Sequence, residues 1–151
     1  MDLMERLNGY NGLKETDVMM LNPLVWAYIG DAVYEVYVRS YVISEGRRNA
    51  GDLHRGSISF VKAEAQSDLL EKLLPHLTEE EQNIVRRGRN TKTTHVPKNA
   101  VVIDYRRATA LEALIGYLYL MRRYERMDEI MGFIFDEGSN EKQADTTQHK
   151  K

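Results

Sequence analysis

A chain of 151 residues, 42% of them hydrophobic, is long enough for one domain with a sizeable core and short for two. It has no cysteine, which excludes disulfides, thiolate metal sites and thiol catalysis and fits a reducing cytoplasm. The formal net charge of -2 excludes a globally basic protein, so any nucleic-acid contact must come from a local patch.

The start, "MDLMERLNGY", is charged where a secretory leader would be apolar, and no apolar run reaches transmembrane length. A soluble, cytoplasmic protein is expected. Residues 1–18 predict a short helix at most. Asn22 followed by Pro23 marks a strong helix start, because Asn caps free backbone N–H groups and Pro at the first helical position gives up no needed donor. This helix is expected to run to about Ser44, with Gly46 stopping it. Asn49 to about Ile58 predicts a short helix. Ser59 to Leu74 predicts a longer one, with Phe60, Ala63, Leu69, Leu70 and Leu73 at helical spacing and Pro75 at its end. Thr78 and Glu81 form a capping box that starts a helix running towards Arg87. Beyond a loop containing Pro97, a fifth helix is expected from about Asp104 to Tyr124 and a last one from Met127 to Phe135. Strand signals are almost absent, so the predicted fold is all-α: one domain over residues 1–135. The polar stretch 136–151 has almost nothing to bury and predicts a disordered tail.

Two segments break the local rules. In "NPLVWAYIGDAVYEVYVRSYV", Asn22 to Val42, apolar residues cover most of the helix circumference, as in a central helix, yet Asp31 and Glu35 lie within it. Asp31 shares a side with Ala27, Tyr34, Glu35 and Val38, where a carboxylate would be partly desolvated. Gly30 beside it costs about 1 kcal/mol against Ala in a helix interior, which suggests a packing reason. In "ATALEALIGYLYL", Ala108 to Leu120, Glu112 is the sole charge between Arg107 and Arg122, and Gly116 follows one turn later on the same face. If the glycine faces let the two helices approach, Asp31 and Glu112 would meet. They would then share a proton or a hard divalent cation, with magnesium the natural candidate. The bland alternative is that each acid pairs with an arginine for structural reasons.

The third feature is "RRGRNTKTTHVPKN", Arg86 to Asn99. No acid stands between Glu81 and Asp104, whereas Arg86, Arg87, Arg89, Lys92 and Lys98 are cationic. Gly88, the threonines and Pro97 predict a loop over most of it. It is either the phosphate-contacting patch of the chain, with His95 a further contact, or a solvated loop balancing Glu79, Glu80 and Glu81. No metal-binding histidine motif or phosphate-binding glycine loop is present.

At these residues the chain resembles the ribonuclease III family. "IGDAVYEVYVRSY" is similar to its signature segment, and "ALEALIGYLYL" to its second motif. The loop "RGRNTKTTHVPKNA" between them, with the short length, resembles the Mini-ribonuclease III branch, which lacks a double-stranded-RNA-binding domain. The likeness covers about Leu21 to Phe135. It implies that Asp31 and Glu112 are the catalytic, metal-binding acids of a magnesium-dependent endoribonuclease. The larger family members carry two further acids where this chain has Ala27 and Thr109. Thr109 could orient a water; Ala27 supplies nothing. The resemblance further implies an all-helical homodimer whose valley holds double-stranded RNA, without a covalent intermediate. Arg86, Arg87, Arg89, Lys92, His95 and Lys98 would grip the RNA, and Tyr34, Tyr37 and Tyr41 would be available to the dimer contact. The implied substrate is the precursor of large-subunit ribosomal RNA, and a ribosomal protein is a candidate partner. Two rival expectations are an inactive RNA-binding module of the same fold and a helical adaptor with no RNA role.

Overall fold

The computed structural model describes residues 1–91 and 96–149, with side chains to residue 140. Every regular element among the described residues is helical: α1 (Leu3–Gly9), α2 (Glu15–Met20), α3 (Pro23–Ser44), α4 (Ala50–Val61), α5 (Ala63–Leu73), α6 (Glu79–Asn90), α7 (Val102–Leu120) and α8 (Tyr124–His149), with one 3-10 turn at Leu74–His76. None of them is long and apolar enough to cross a membrane. The all-α expectation holds.

The starts follow the local chemistry. Asn22 Oδ1 accepts from the Leu24 N–H at 2.9 Å, with Pro23 opening α3. The reciprocal Thr78–Glu81 box opens α6, at 3.1 Å and 2.9 Å.

The centre is α7 rather than α3. Every residue from Ala110 to Met121 is buried except Glu112, which is half-buried. Helices α3, α5, α6 and α8 pack around α7. Helix α3 buries Trp26, Ala27, Gly30, Tyr34, Val38 and Val42 on one side, and its apolar residues on the other side stay in solvent, Tyr28 at 82% and Val36 at 67% exposed. An apolar circumference therefore means a core helix in one case and an uncovered face in the other.

Three boundaries differ from expectation. The segment read as one helix from Ser59 is broken at Lys62, whose extended backbone (φ -62°, ψ 145°) divides α4 from α5. The Phe60 carbonyl near this break accepts from the buried Tyr34 hydroxyl at 2.6 Å. Helix α7 stops at Leu120 instead of Tyr124. Arg122 takes a left-handed conformation (φ 59°), while Arg123 N–H donates to the Leu118 carbonyl at 2.9 Å and Arg122 N–H to that of Tyr119 at 3.0 Å. This is the Schellman closure, made without the usual glycine.

Helix α8 continues to His149, past Phe135, over residues expected to form an unstructured tail. Its extension is seated by side-chain contacts. Gly138 lies against the Phe60 ring, the Ser139 and Tyr41 hydroxyls hydrogen-bond, and Glu137 pairs with Lys72 at 3.9 Å.

Of the three tyrosines assigned to a dimer face, Tyr34 lies inside the fold, whereas Tyr37 and Tyr41 are half-buried against the core. Tyr34 is fully buried, Tyr37 donates to Asp128 at 3.3 Å, and Tyr41 stacks on Phe135 at 4.3 Å between ring centroids. Their polar tips find partners within the chain, which lets aromatic rings fill the space between helices.

One ion pair fixes α6 against α8. Glu81 is 3% exposed, and the Arg126 guanidinium donates to both its oxygens at 2.9 Å and 2.8 Å and to the His76 carbonyl at 3.0 Å. Burial, the largest single influence, would push the Glu81 carboxyl up, but the hydrogen bonds and charge of Arg126 together with the Thr78 hydrogen bonds outweigh it and hold the carboxyl below its usual range. Arg126→Ala would leave that carboxylate buried and unpaired. We expect a loss of about 3–5 kcal/mol by urea unfolding; a loss under about 1 kcal/mol would count against the pair as a structural element.

Candidate active site

Helices α3 and α7 cross main chain on main chain. A Cβ added to Gly30 would lie 1.8 Å from the Glu112 carbonyl oxygen, and one added to Gly116 would lie 1.7 Å from that of Trp26. Each glycine thus seats the other helix's backbone. The contact brings together the residue after Gly30 and the residue one turn before Gly116, and the Asp31 and Glu112 carboxyls hydrogen-bond to one another.

The pair stands on the wall of a cleft of about 670 Å³, lined also by Tyr28, Gln66, Pro97, Tyr105 and Thr109. Asp31 is itself exposed, contrary to the expectation of partial desolvation, because it sits on the rim of α3. Glu112 carries the burial, being the one interruption in the covered face of α7. Burial, then the charge and hydrogen bond of Asp31, then the charge of Glu35 push the Glu112 carboxyl up to about 8. At neutral pH Glu112 therefore holds a proton.

No arginine or lysine among the described residues pairs with Asp31 or Glu112, so neither acid is half of a structural ion pair. Two converging carboxylates without a counter-cation, open to solvent on one side, fit a hard divalent ion. Among the described residues no group of three or more His, Cys, Asp or Glu lies close enough together to hold a metal ion.

Thr109 lines the same cleft, but its hydroxyl proton goes to the Tyr105 carbonyl at 2.9 Å. Towards the cleft it is an acceptor only. Ala27 lines the cleft too and offers no polar atom. Sequence reasoning left out Gln66, which lines the cleft, and Glu35, which stands outside the cleft but whose charge reaches Glu112. Glu35 lies one turn beyond Asp31, bonded to Arg39 at 3.0 Å, and its i+4 spacing was a usable signal. Gln66 gave none, since a glutamine in "AEAQSDLL" looks like a solvated residue.

The basic stretch divides. Arg86, Arg87 and Arg89 lie on α6, which runs to Asn90, and not in a loop. Gly88 does not break this helix because it lets α6 settle onto α7; a Cβ there would lie 2.9 Å from the Ala113 methyl. Arg87 is committed, with its guanidinium 4.6 Å from the Trp26 ring centroid and an N–H on the Met19 carbonyl at 3.3 Å. Among the described residues Arg86 bonds to Asn83 alone, and Arg86 and Arg89 line a second hollow together with Arg107. Lys98 is exposed and follows Pro97 at the cleft. Lys92 and His95 lie outside the described residues.

Comparison with known proteins agrees with this geometry. The sequence profile of the ribonuclease III domain matches residues 24–123. A Mini-ribonuclease 3 of Clostridium tetani is 48% identical over 121 residues, 80% of this chain and 80% of that protein. One of Brevibacillus brevis is 50% identical over 115 residues, 76% of this chain and 86% of that protein. A crystal structure of a Fusobacterium nucleatum protein superposes with a TM-score of 0.70 at 33% identity, covering 80% of this chain and 97% of that one. The chain therefore belongs to the ribonuclease III family, in its Mini-ribonuclease III branch, and is an endoribonuclease of that family.

Proposed function

We propose that the chain is a magnesium-dependent hydrolase of double-stranded RNA that acts as a homodimer in the cytoplasm on the precursor of large-subunit ribosomal RNA, with Asp31 and Glu112 as its catalytic, metal-holding acids. The observation that carries this reading is their meeting on a cleft wall with no cation beside them among the described residues. A divalent ion held there supplies Lewis acidity at a phosphodiester and lowers the pKa of water. To hold such an ion Glu112 would have to give up its proton, so binding should tighten as pH rises towards about 8. Thr109, with its proton committed to Tyr105, accepts from the attacking water and orients it. Arg86, Arg89 and Lys98 contact phosphates, and Lys92 and His95 belong to the same basic stretch. Arg87 is better assigned to holding α6 on Trp26. The uncovered stripe of Val25, Tyr28, Val36 and Ile43 on α3 supports the dimer contact in place of the buried Tyr34.

The test is a magnesium titration with a long perfect RNA duplex, the matching single strand and the matching DNA duplex. Cleavage of the RNA duplex alone, and only with metal, is expected. Equal cutting of the single strand would overturn the duplex assignment. In the same system, Arg86→Ala with Arg89→Ala is expected to weaken duplex binding and to reduce the slope of log K against log salt by about 1.5–2. An unchanged slope would remove these two side chains from the RNA interface.

A further inference from the structure

The cleft holds a polar side chain that the acid pair does not account for. Gln66, on α5, is 3% exposed and lines the cleft with Asp31, Thr109 and Glu112. The Tyr34 hydroxyl donates its proton to the Phe60 carbonyl at 2.6 Å, so towards Gln66 it can only accept. Gln66 is the side chain beside it, and only the amide nitrogen of Gln66 can turn to an accepting oxygen. This fixes which way the amide is turned: nitrogen towards Tyr34, and Oε1 away from it, with no donor from the described residues. Oε1 is also not among the sealed, unpartnered atoms of the interior, a class that contains only Ser67 Oγ among the described residues. It therefore opens on the cleft.

A ligand that excludes water from the cleft would leave this acceptor without a donor at a cost of about 1–3 kcal/mol, so the chemistry of the ligand should supply one. A phosphodiester cannot, since it is ionised and accepts only. Within an RNA backbone the group with an O–H is the ribose 2′-hydroxyl, and it is vicinal to the 3′-oxygen of the phosphodiester. We propose that Gln66 Oε1 accepts a hydrogen bond from the ribose 2′-hydroxyl beside the phosphodiester held at Asp31 and Glu112, which makes Gln66 a determinant of RNA over DNA. This rests on the reading of the acid pair as the cleavage site. Tyr34 is the positioning residue, because its oxygen sets the amide's orientation.

The experiment uses the full chain, the Gln66→Met variant and the Asp31→Asn variant on RNA duplexes. In these, single nucleotides around the cut bond carry 2′-fluoro, which keeps the RNA-like sugar pucker and removes the donated proton. The unaltered chain is expected to lose about tenfold in kcat/KM at one such position, the equivalent of 1.4 kcal/mol. Gln66→Met is expected to lose the same factor on the all-ribose duplex and nothing more on the fluorinated one. Losses that multiply, or a Gln66→Met protein as active as the unaltered chain, would overturn the proposal and leave Gln66 a holder of water or of Tyr34. Should Gln66→Met fail to fold, the 2′-fluoro scan on the unaltered chain still decides: no sensitive position means no contact. Cleavage that survives in Asp31→Asn would sink the acid-pair reading instead, and so separates the two failures.

Discussion

The Glu112→Gln protein is expected to melt at a higher temperature than the unaltered chain at pH 8 and to cut RNA at least 100-fold more slowly, by about 2.7 kcal/mol or more in the barrier. The sign follows from linkage. Glu112 has its folded-state pKa raised from 4.5 to about 8. Between those values the folded chain keeps a proton that the unfolded chain has lost, so stability is full below about pH 4.5 and declines as pH rises to about 8. Gln cannot ionise, keeps the shape and removes this decline. Magnesium should raise the melting temperature of the unaltered chain at pH 8, because an ion that binds only the folded state stabilises it by mass action. It should do little for Glu112→Gln or Asp31→Asn. The readout is a set of melts from pH 5 to 8.5 with and without magnesium, beside the cleavage assay. A Glu112→Gln curve parallel to that of the unaltered chain would mean that the two carboxyls do not share a proton. If Asp31→Asn loses its helical signal, the acid is structural.

Gly30→Ala is expected to cost at least about 3 kcal/mol and to lower the melting temperature by roughly 10 °C, with Gly116→Ala similar. The added methyl would sit 1.8 Å from a main-chain oxygen in the first case and 1.7 Å in the second. A backbone cannot rotate aside as a side chain does, so α3 and α7 must separate. Such a separation would also pull Asp31 from Glu112, and activity should fall further than stability predicts. Gly132→Ala is the control. It lies on the exposed side of α8 with nothing within 4 Å of the added carbon, so helix propensity should make it neutral or up to about 1 kcal/mol more stable. A urea series across the three variants reads this directly. A Gly30→Ala protein within 1 kcal/mol of the unaltered chain would show that the helix contact can relax.

Where a boundary depends on residues next to it, the sequence displays it. Asn22 with Pro23, and Thr78 with Glu81, announce α3 and α6 because capping is a local hydrogen bond. The convergence of Asp31 and Glu112 was legible for a related reason: each acid sits beside a glycine that its own helix would rather not have. What escaped reading depends on distant partners. Lys62 breaks a helix with neither Gly nor Pro, and Arg122 takes the turn conformation that glycine usually fills. Gly138 and Ser139 look like helix breakers in a polar run, yet the Phe60 ring and the Tyr41 hydroxyl meet them. Arg87 appears beside Arg86 as one more cation, and only the fold brings Trp26 under it. Gln66 is the plainest case in the site, since it stands in a polar run and is nonetheless buried by the fold.

The glycine-to-glycine crossing of α3 and α7 has a bearing on how this family can vary. Where side chains space two helices, each substitution at their seam shifts the register by a fraction of an ångström. Here the main chains touch directly, with Gly30 against the Glu112 carbonyl and Gly116 against that of Trp26. The distance between the acids is then written into covalent geometry common to every protein. Buried residues further out, such as Val38 and Leu118, can change for others of similar volume without retuning the chemistry. Relatives that differ at half of their positions can therefore keep a shared ruler at the centre.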